Sequence, residues 1–178
     1  MIAMKFIVRE IIKEDIEIMH KWAQDKDIAK LSDANPNESF EQFSSRYNLY
    51  FNKNSNDGIK LFGILLDEKL IGRLELGIDK KNRSGSFGIL IGEKQYWGRG
   101  IGKKAINALF NYAFIKLDLN RISCDVYAFN KRSLNLMKSV GMKLEGRLRQ
   151  KELINKQYVD LILFGLLKKE YNGGEGND

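Results

Sequence analysis

The sequence has little of what builds metal centres and disulfides: among 178 residues there is one cysteine, one histidine and one proline. Cys124 has no second thiol to pair with, and its place in an alternating apolar run reads as a buried, reduced thiol. With His20 the sole histidine, no His/Cys cluster of metal-ligand spacing can form, which excludes a zinc site. His20 itself, on the same helical stretch as Trp22, reads as a surface or packing residue. No apolar run approaches the roughly 20 residues that cross a bilayer. The opening Met1-Ile2-Ala3-Met4-Lys5 lacks the charged-then-apolar layout of a secretory signal. These absences predict a cytoplasmic protein without metal or membrane contact.

What is present is an ordinary globular mixture, 43% hydrophobic and 30% charged. The length fits one domain over residues 1–171. Asn172 to Asp178, with nothing to bury, reads as a flexible tail. The net charge of +7 is unevenly placed: Lys94 to Lys151 holds 13 Lys/Arg against 3 Asp/Glu, and the remainder 17 against 20. A compact polyanionic ligand would explain that bias, and so would RNA.

Hydrophobic spacing gives a mixed order of strands and helices. Phe6 to Arg9 reads as a strand, and Lys13-Glu14-Asp15 opens a helix with Ile16, Met19 and Trp22 on one face. Ile28 to Asn37 reads as a loop, followed by a helix from Ser39 carrying Phe40, Phe43 and Tyr47. Ile59 to Leu66 and Leu70 to Ile78 flank the polar turn Asp67-Glu68-Lys69 as a hairpin. Ser86 to Ile91 is a strand, Ile101 to Leu117 a helix, and Arg121 to Phe129 a strand with Ile122, Cys124, Val126 and Ala128 on one face. Ser133 to Val140 is a helix stopped by Gly141, and Lys143 to Leu148 and Tyr158 to Lys168 are late strands. This order predicts an α/β fold with helices on both faces of a sheet.

The most informative stretch is Gln95-Tyr96-Trp97-Gly98-Arg99-Gly100-Ile101-Gly102-Lys103, between a strand end and a helix start. Glycines remove Cβ atoms where backbone N–H groups converge on an anion, and the helix adds its positive end. Arg99, Lys103 and Lys104 add mobile charge, so the expected ligand is a phosphate or pyrophosphate. A Walker loop fails, because Trp97 stands where its glycine is required and Lys104 where its hydroxyl is. A dinucleotide fingerprint needs Gly-x-Gly-x-x-Gly, and this stretch is Gly-x-Gly-x-Gly.

The remaining match, Gln-x-x-Gly-x-Gly, resembles the coenzyme A pyrophosphate loop of the GNAT superfamily of N-acetyltransferases. The resemblance covers about residues 6 to 171. Ser86 to Ile91 stands where that family has its splayed central strand, and Asn130-Lys131-Arg132-Ser133 followed by Gly141-Met142 resembles its second motif. Tyr158-Val159-Asp160 and Leu167 to Tyr171 look like the RimJ/RimL branch. The resemblance implies a mixed, mostly antiparallel sheet splayed at the cofactor site. It also implies acetyl-coenzyme A as co-substrate and a primary amine as acceptor, whether a polyamine, an amino sugar, an antibiotic or a protein N-terminus, and it is compatible with a homodimer.

By the same resemblance, Gln95, Gly98, Arg99, Gly100, Ile101, Gly102 and Lys103 would hold the pyrophosphate. Backbone groups of Leu90 and Ile91 would pair with the pantetheine arm, and Asn130 would bond the arm or thioester region. Asn130 could also cap the following helix, and the two roles can coexist. Asp125, five residues before Asn130, stands where some members carry a base glutamate; the alternative is a solvated charge paired with Arg121 or Lys131. Glu75 and Glu93 are rival bases. Many relatives have an acid tyrosine seven residues after the motif asparagine, but here that residue is Met137, which suits packing. Ser133 could donate to the sulfur instead, with Tyr127 and Tyr158 as weaker candidates. Acceptor walls are expected among Lys30 to Asn37, Phe43, Tyr47, Tyr127 and Tyr158. Asp25, Asp27, Asp33, Glu38 and Glu41 could attract a cation or simply be solvated. Two rivals stand beside the enzyme: an RNA- or ribosome-binding module using the basic segment, and an acetyl-coenzyme A sensor without catalysis.

Overall fold

The computed structural model describes residues 5–32, 34–52 and 58–173. The expected tail from 174 on, Asp33 and the first four residues lie outside them. The chain divides into two compact units, one made of the segment up to Leu76 with Ile89–Ile101, the other of Gly77–Gly88 with the segment from Gly102.

In the first unit, β1 (Phe6–Glu10) pairs antiparallel with β2 (Ile59–Leu66), from Phe6↔Leu66 to Glu10↔Phe62. The chain then turns into α1 (Asp15–Gln24). A buried carboxylate holds that corner: Asp15 accepts two bonds from the Arg9 guanidinium, at 2.7 and 2.9 Å, and one from the Ile12 N–H at 2.9 Å. Ile16, Met19 and Trp22 all face the core, as their spacing predicts. Residues 28 and 29 are not loop as expected, because a short helix, α2 (Lys26–Ala29), precedes it. Asp25 caps α2 by accepting from the Asp27 and Ile28 N–H groups, and Ile28 is buried. A helix of four residues has too little period to be read from apolar spacing. α3 (Phe40–Asn52) opens on a capping box: Ser39 Oγ accepts from Gln42 N–H, and Gln42 Oε1 accepts from Ser39 N–H, both at 3.2 Å. β2 is followed by β3 (Lys69–Asp79) after a turn in which Asp67 and Glu68 both take left-handed φ, 47° and 66°. The core here gathers Ile11, Ile16, Met19, Trp22, Ile28, Phe43, Leu61, Leu65 and Leu70.

In the second unit, the first part of β4 (Ser84–Ile91), up to Gly88, runs parallel to β5 (Arg121–Tyr127) for three residue pairs, Ser84↔Arg121 to Ser86↔Ser123. That ladder ends at Ser86. α4 (Ile101–Asn111) buries Ala105, Ile106, Leu109 and Phe110. It then widens into a π turn over Tyr112–Lys116, where a single helix to Leu117 was expected. The wider turn keeps Phe110, Ala113 and Phe114 all buried and leaves Ile115 exposed.

β5 buries Ile122, Cys124 and Val126 and ends at Tyr127, two residues before the expected Phe129. The Asn130 N–H turns back to the Tyr127 carbonyl at 2.8 Å, starting α5 (Lys131–Ser139), which ends before Gly141 at φ 83°. β6 (Lys143–Ile154) runs on past the expected Leu148, whereas β7 (Gln157–Leu167) keeps the expected length and is shifted by a single residue. Most of β6 is exposed, so it lacks the apolar alternation that marks a strand; its backbone ladder to β7 forms it. Arg149 to Lys151 bulge opposite Asp160, whose carboxylate accepts from the Gln150 N–H at 2.7 Å and pairs with Arg147. The strand order β1-β2-β3-β4-β5-β7-β6 makes one mixed sheet. Among the described residues no helix is long and apolar enough to cross a membrane.

Candidate functional site

The end of β4 is fastened before the glycine turn begins. Gly92 and Glu93 N–H groups both donate to the Ile71 carbonyl, at 2.9 and 3.2 Å, and the strand stops there. Gly92 lies under the Trp22 ring, where an added Cβ would come within 2.0 Å of a ring carbon. Glu93 accepts from the Trp22 indole and from Lys69, each at 3.3 Å, so this rival base is occupied in holding α1 to the turn. Lys94 Nζ is 2.8 Å from both Asp25 and Asp27. Those two acidic residues therefore form a local clamp on Lys94 and do not stand as an open cationic-acceptor surface. The paired Asp25 carboxyl is pushed below its ordinary range, chiefly by the Lys94 bond, and Lys94 is raised in return.

Beyond a short turn over Lys94–Tyr96 the backbone bares itself. Gly98 and Gly100 both sit at φ 76°, and a Cβ built on either would meet nothing within 4 Å. Left-handed φ at alternate residues turns successive N–H groups to one side, the arrangement that cradles an anion. Gln95 and Arg99 are exposed beside them, with the Arg99 guanidinium 6.0 Å from the Tyr96 ring centre. Gly102 differs from its neighbours in lying inside α4, so its missing Cβ does not serve a left-handed turn. Ile101 is buried, which leaves only its backbone available to a ligand. With Lys103 in the first turn and no acidic residue there, the start of α4 is electropositive. The residues present thus fit a diphosphate. Leu90 and Ile91 are half-buried, and the Ile91 carbonyl already accepts from the Trp97 indole at 2.7 Å.

In the second unit, Asn130 realises its capping role: Oδ1 accepts from the Ser133 N–H at 3.1 Å, so both motif residues are fixed at the start of α5. Asp125 is exposed on β5, on the face opposite Cys124. Arg121, offered as its partner, is taken by the Glu145 carboxylate instead. The Cys124 thiol is pushed up to about 12, first by burial and then by the Asp125 charge. Its sulfur lies 3.4 Å from that of Met137, which is buried and packs as expected. Tyr127 stacks on Phe129 at 5.3 Å between centroids, and Tyr158 is exposed.

Of the remaining candidates, Glu75 accepts from Arg73 at 3.3 Å, and burial raises the Tyr47 phenol, opposed by the charges of Arg73 and Arg46. Phe43 and Tyr47 stand 5.0 Å apart as an aromatic pair. His20 is buried against Phe40 and Phe43 and its Nε2 is 2.9 Å from the Glu38 carbonyl, a packing role. Several cations of the basic segment are bound by carboxylates: Lys94, Arg121, Lys143 and Arg147. No group of residues that could hold a metal ion occurs among the described residues. Sequence reasoning missed the Trp97 bond and the Lys94 clamp. Nothing in residue spacing foretells a contact from α2 to residue 94.

Comparison with known proteins agrees with this geometry. A chain 27% identical over 172 residues, 95% of this protein and 96% of the relative, is the uncharacterized N-acetyltransferase p20 of Bacillus licheniformis. The spermidine N(1)-acetyltransferase of Vibrio cholerae is 28% identical, covering 92% of this chain and 94% of its own. A crystal structure of spermidine N-acetyltransferase from Vibrio cholerae in complex with CoA and spermine superposes with a TM-score of 0.85, at 27% identity, over 93% of this chain and 97% of that one. The sequence model of the acetyltransferase (GNAT) domain matches residues 5–143. The chain belongs to the GNAT family and is an N-acetyltransferase that uses acetyl-coenzyme A.

Proposed function

We propose that this enzyme, as one domain over residues 1–171, acetylates a primary amine of a polyamine such as spermidine in the cytoplasm. The observation that carries the acceptor is the likeness to spermidine acetyltransferases along nearly the whole chain. Acetyl transfer needs a held thioester, a neutral amine, oxyanion stabilisation and a proton for the departing thiolate. Gln95, Gly98, Arg99, Gly100, Ile101, Gly102 and Lys103 hold the diphosphate. Leu90 and Ile91 offer backbone groups to the pantetheine arm, and since Trp97 occupies the Ile91 carbonyl, the Leu90 groups and the Ile91 N–H carry that pairing. Asn130 keeps its Oδ1 on the helix cap and directs Nδ2 to the arm.

The amine gives its proton to Asp125 through a bridging water, because the aspartate is short. Its nitrogen then attacks the thioester carbonyl, the C–S bond breaks, and the thiolate leaves with a hydrogen bond from Ser133 and takes up the proton that the attacking nitrogen sheds. The attack is direct, in a ternary complex. What supports this is that the chain's one cysteine is buried and its thiol is raised to about 12, so no thiolate is available to carry the acyl group. Within the family we place the chain beside the RimJ/RimL branch, on Tyr158-Val159-Asp160 and Leu167 to Tyr171.

The test is release of free thiol from acetyl-coenzyme A by purified protein with spermidine, spermine, an amino sugar and a peptide with a free N-terminus. The polyamines are expected to have kcat/KM at least tenfold above the others. Turnover confined to the peptide would refute the polyamine assignment and favour a protein N-terminus.

A further inference from the structure

The protein has two tryptophans, and both indole N–H groups donate into one short corner: Trp97 to the Ile91 carbonyl at 2.7 Å, and Trp22 to the Glu93 carboxylate at 3.3 Å. We infer that Trp97 is a positioning residue for acetyl-coenzyme A, its indole fixing the glycine turn relative to the end of β4. The inference rests on the assignment of residues 90–103 to that ligand.

Two features make the corner sensitive. The first is that Trp97 is the residue immediately before Gly98, whose left-handed φ begins the bared backbone. Gly98 and Gly100 have open space around them and add no side-chain contacts, so on its ligand side the turn relies on the 3.4 Å bond from the Arg99 N–H to the Tyr96 carbonyl, the Arg99–Tyr96 contact and the buried Ile101. The second is that everything upstream is rigid. Gly92 is locked under the Trp22 ring, Gly92 and Glu93 are bonded to Ile71, and Lys94 is clamped between Asp25 and Asp27. The indole body of Trp97 packs against the core cluster of the first unit, so the ring is held and its N–H direction is defined. The Trp97 bond closes a loop from the strand's last carbonyl to the start of the glycine turn. It carries the stiffness of the fastened segment into the glycine turn.

Trp97→Phe keeps an aromatic ring and removes the N–H together with part of the indole body, so Tm is measured beside binding to separate lost packing from lost positioning. A neutral, part-buried hydrogen bond corresponds to about fivefold in an equilibrium constant. The variant is therefore expected to weaken coenzyme A binding about fivefold by calorimetry and to raise KM for acetyl-coenzyme A by the same factor, leaving KM for the amine unmoved. A residue that merely stabilised the fold would shift both KM values together or neither. Binding also has a direct optical readout, because in Trp22→Phe the remaining tryptophan is Trp97, and coenzyme A should change its emission on titration. Gly100→Ala is measured alongside. If Gly100→Ala loses coenzyme A and Trp97→Phe binds it like the unaltered protein, the positioning role is refuted and the loop assignment stands. If Gly100→Ala also binds normally, both are refuted.

Discussion

Gly92 and Gly100 are eight positions apart, and replacing each by alanine should damage different properties. At Gly92 the added methyl would stand 2.0 Å from a carbon of the Trp22 ring, which is itself buried in the core cluster. A rigid ring cannot step aside as a flexible side chain can, so the cost belongs at the upper end of overpacking, about 3 kcal/mol. For a chain of this size each kcal/mol lowers Tm by about 2–4 °C, so Gly92→Ala should lose about 6–12 °C. At Gly100 the methyl meets nothing within 4 Å, and the cost is only that of holding alanine at φ 76°, roughly 1–2 kcal/mol. Gly100→Ala should therefore lose only about 2–8 °C. Its methyl, however, enters the space assigned to the diphosphate and displaces a charge-assisted bond of about 1.5–3 kcal/mol, a loss of tenfold or more in coenzyme A affinity. Thermal unfolding without ligand, followed by calorimetric titration with coenzyme A, separates the two effects. A Gly100→Ala protein with unchanged affinity, or one that unfolds earlier than Gly92→Ala, would refute the argument.

Asp125→Asn should lower kcat more than tenfold while coenzyme A affinity stays within about twofold, since a base contributes to turnover and not to cofactor binding; steady-state kinetics beside calorimetry decides it. Arg9→Ala leaves the buried Asp15 carboxylate with only the Ile12 N–H. Arg9 is partly exposed, so the loss should be about 2 kcal/mol, or about 4–8 °C in Tm; an unchanged Tm would refute a structural role for the pair. Burial and then the Asp125 charge raise the Cys124 thiol from 9.0 to about 12, so the folded state holds that proton more tightly than the unfolded state does. The resulting stability is full below about pH 9 and is lost as pH rises from about 9 towards about 12. Denaturant titrations over that range should show the decline in the unaltered protein and a shallower one in Cys124→Ala.

Patterns of local origin were legible in the sequence. Apolar spacing located α1 and α4, each of which buries one face, continuous apolar runs located β2 and β3, and the polar turn Asp67-Glu68-Lys69 located the hairpin. The glycine turn could be read because left-handed φ at Gly98 and Gly100 leaves few other residues admissible there. Where burial did not imprint a period, reading stopped short. The outer half of β6 is exposed and held by its ladder to β7, α2 is a single capped turn, and the π turn after Asn111 preserves a core face without changing composition.

Composition by itself determined that this chain, with one cysteine, closes no internal disulfide, and the motif by itself pointed to an anion at residues 95–103. Only the tertiary structure decided which candidate groups were already committed. Glu93 is bound by Trp22 and Lys69, Asp25 and Asp27 by Lys94, Arg121 by Glu145, and the Ile91 carbonyl by Trp97. The reason is physical. A residue type states what bonds a group can make, whereas which bonds it does make depends on partners far away in sequence, and folding alone brings those within reach.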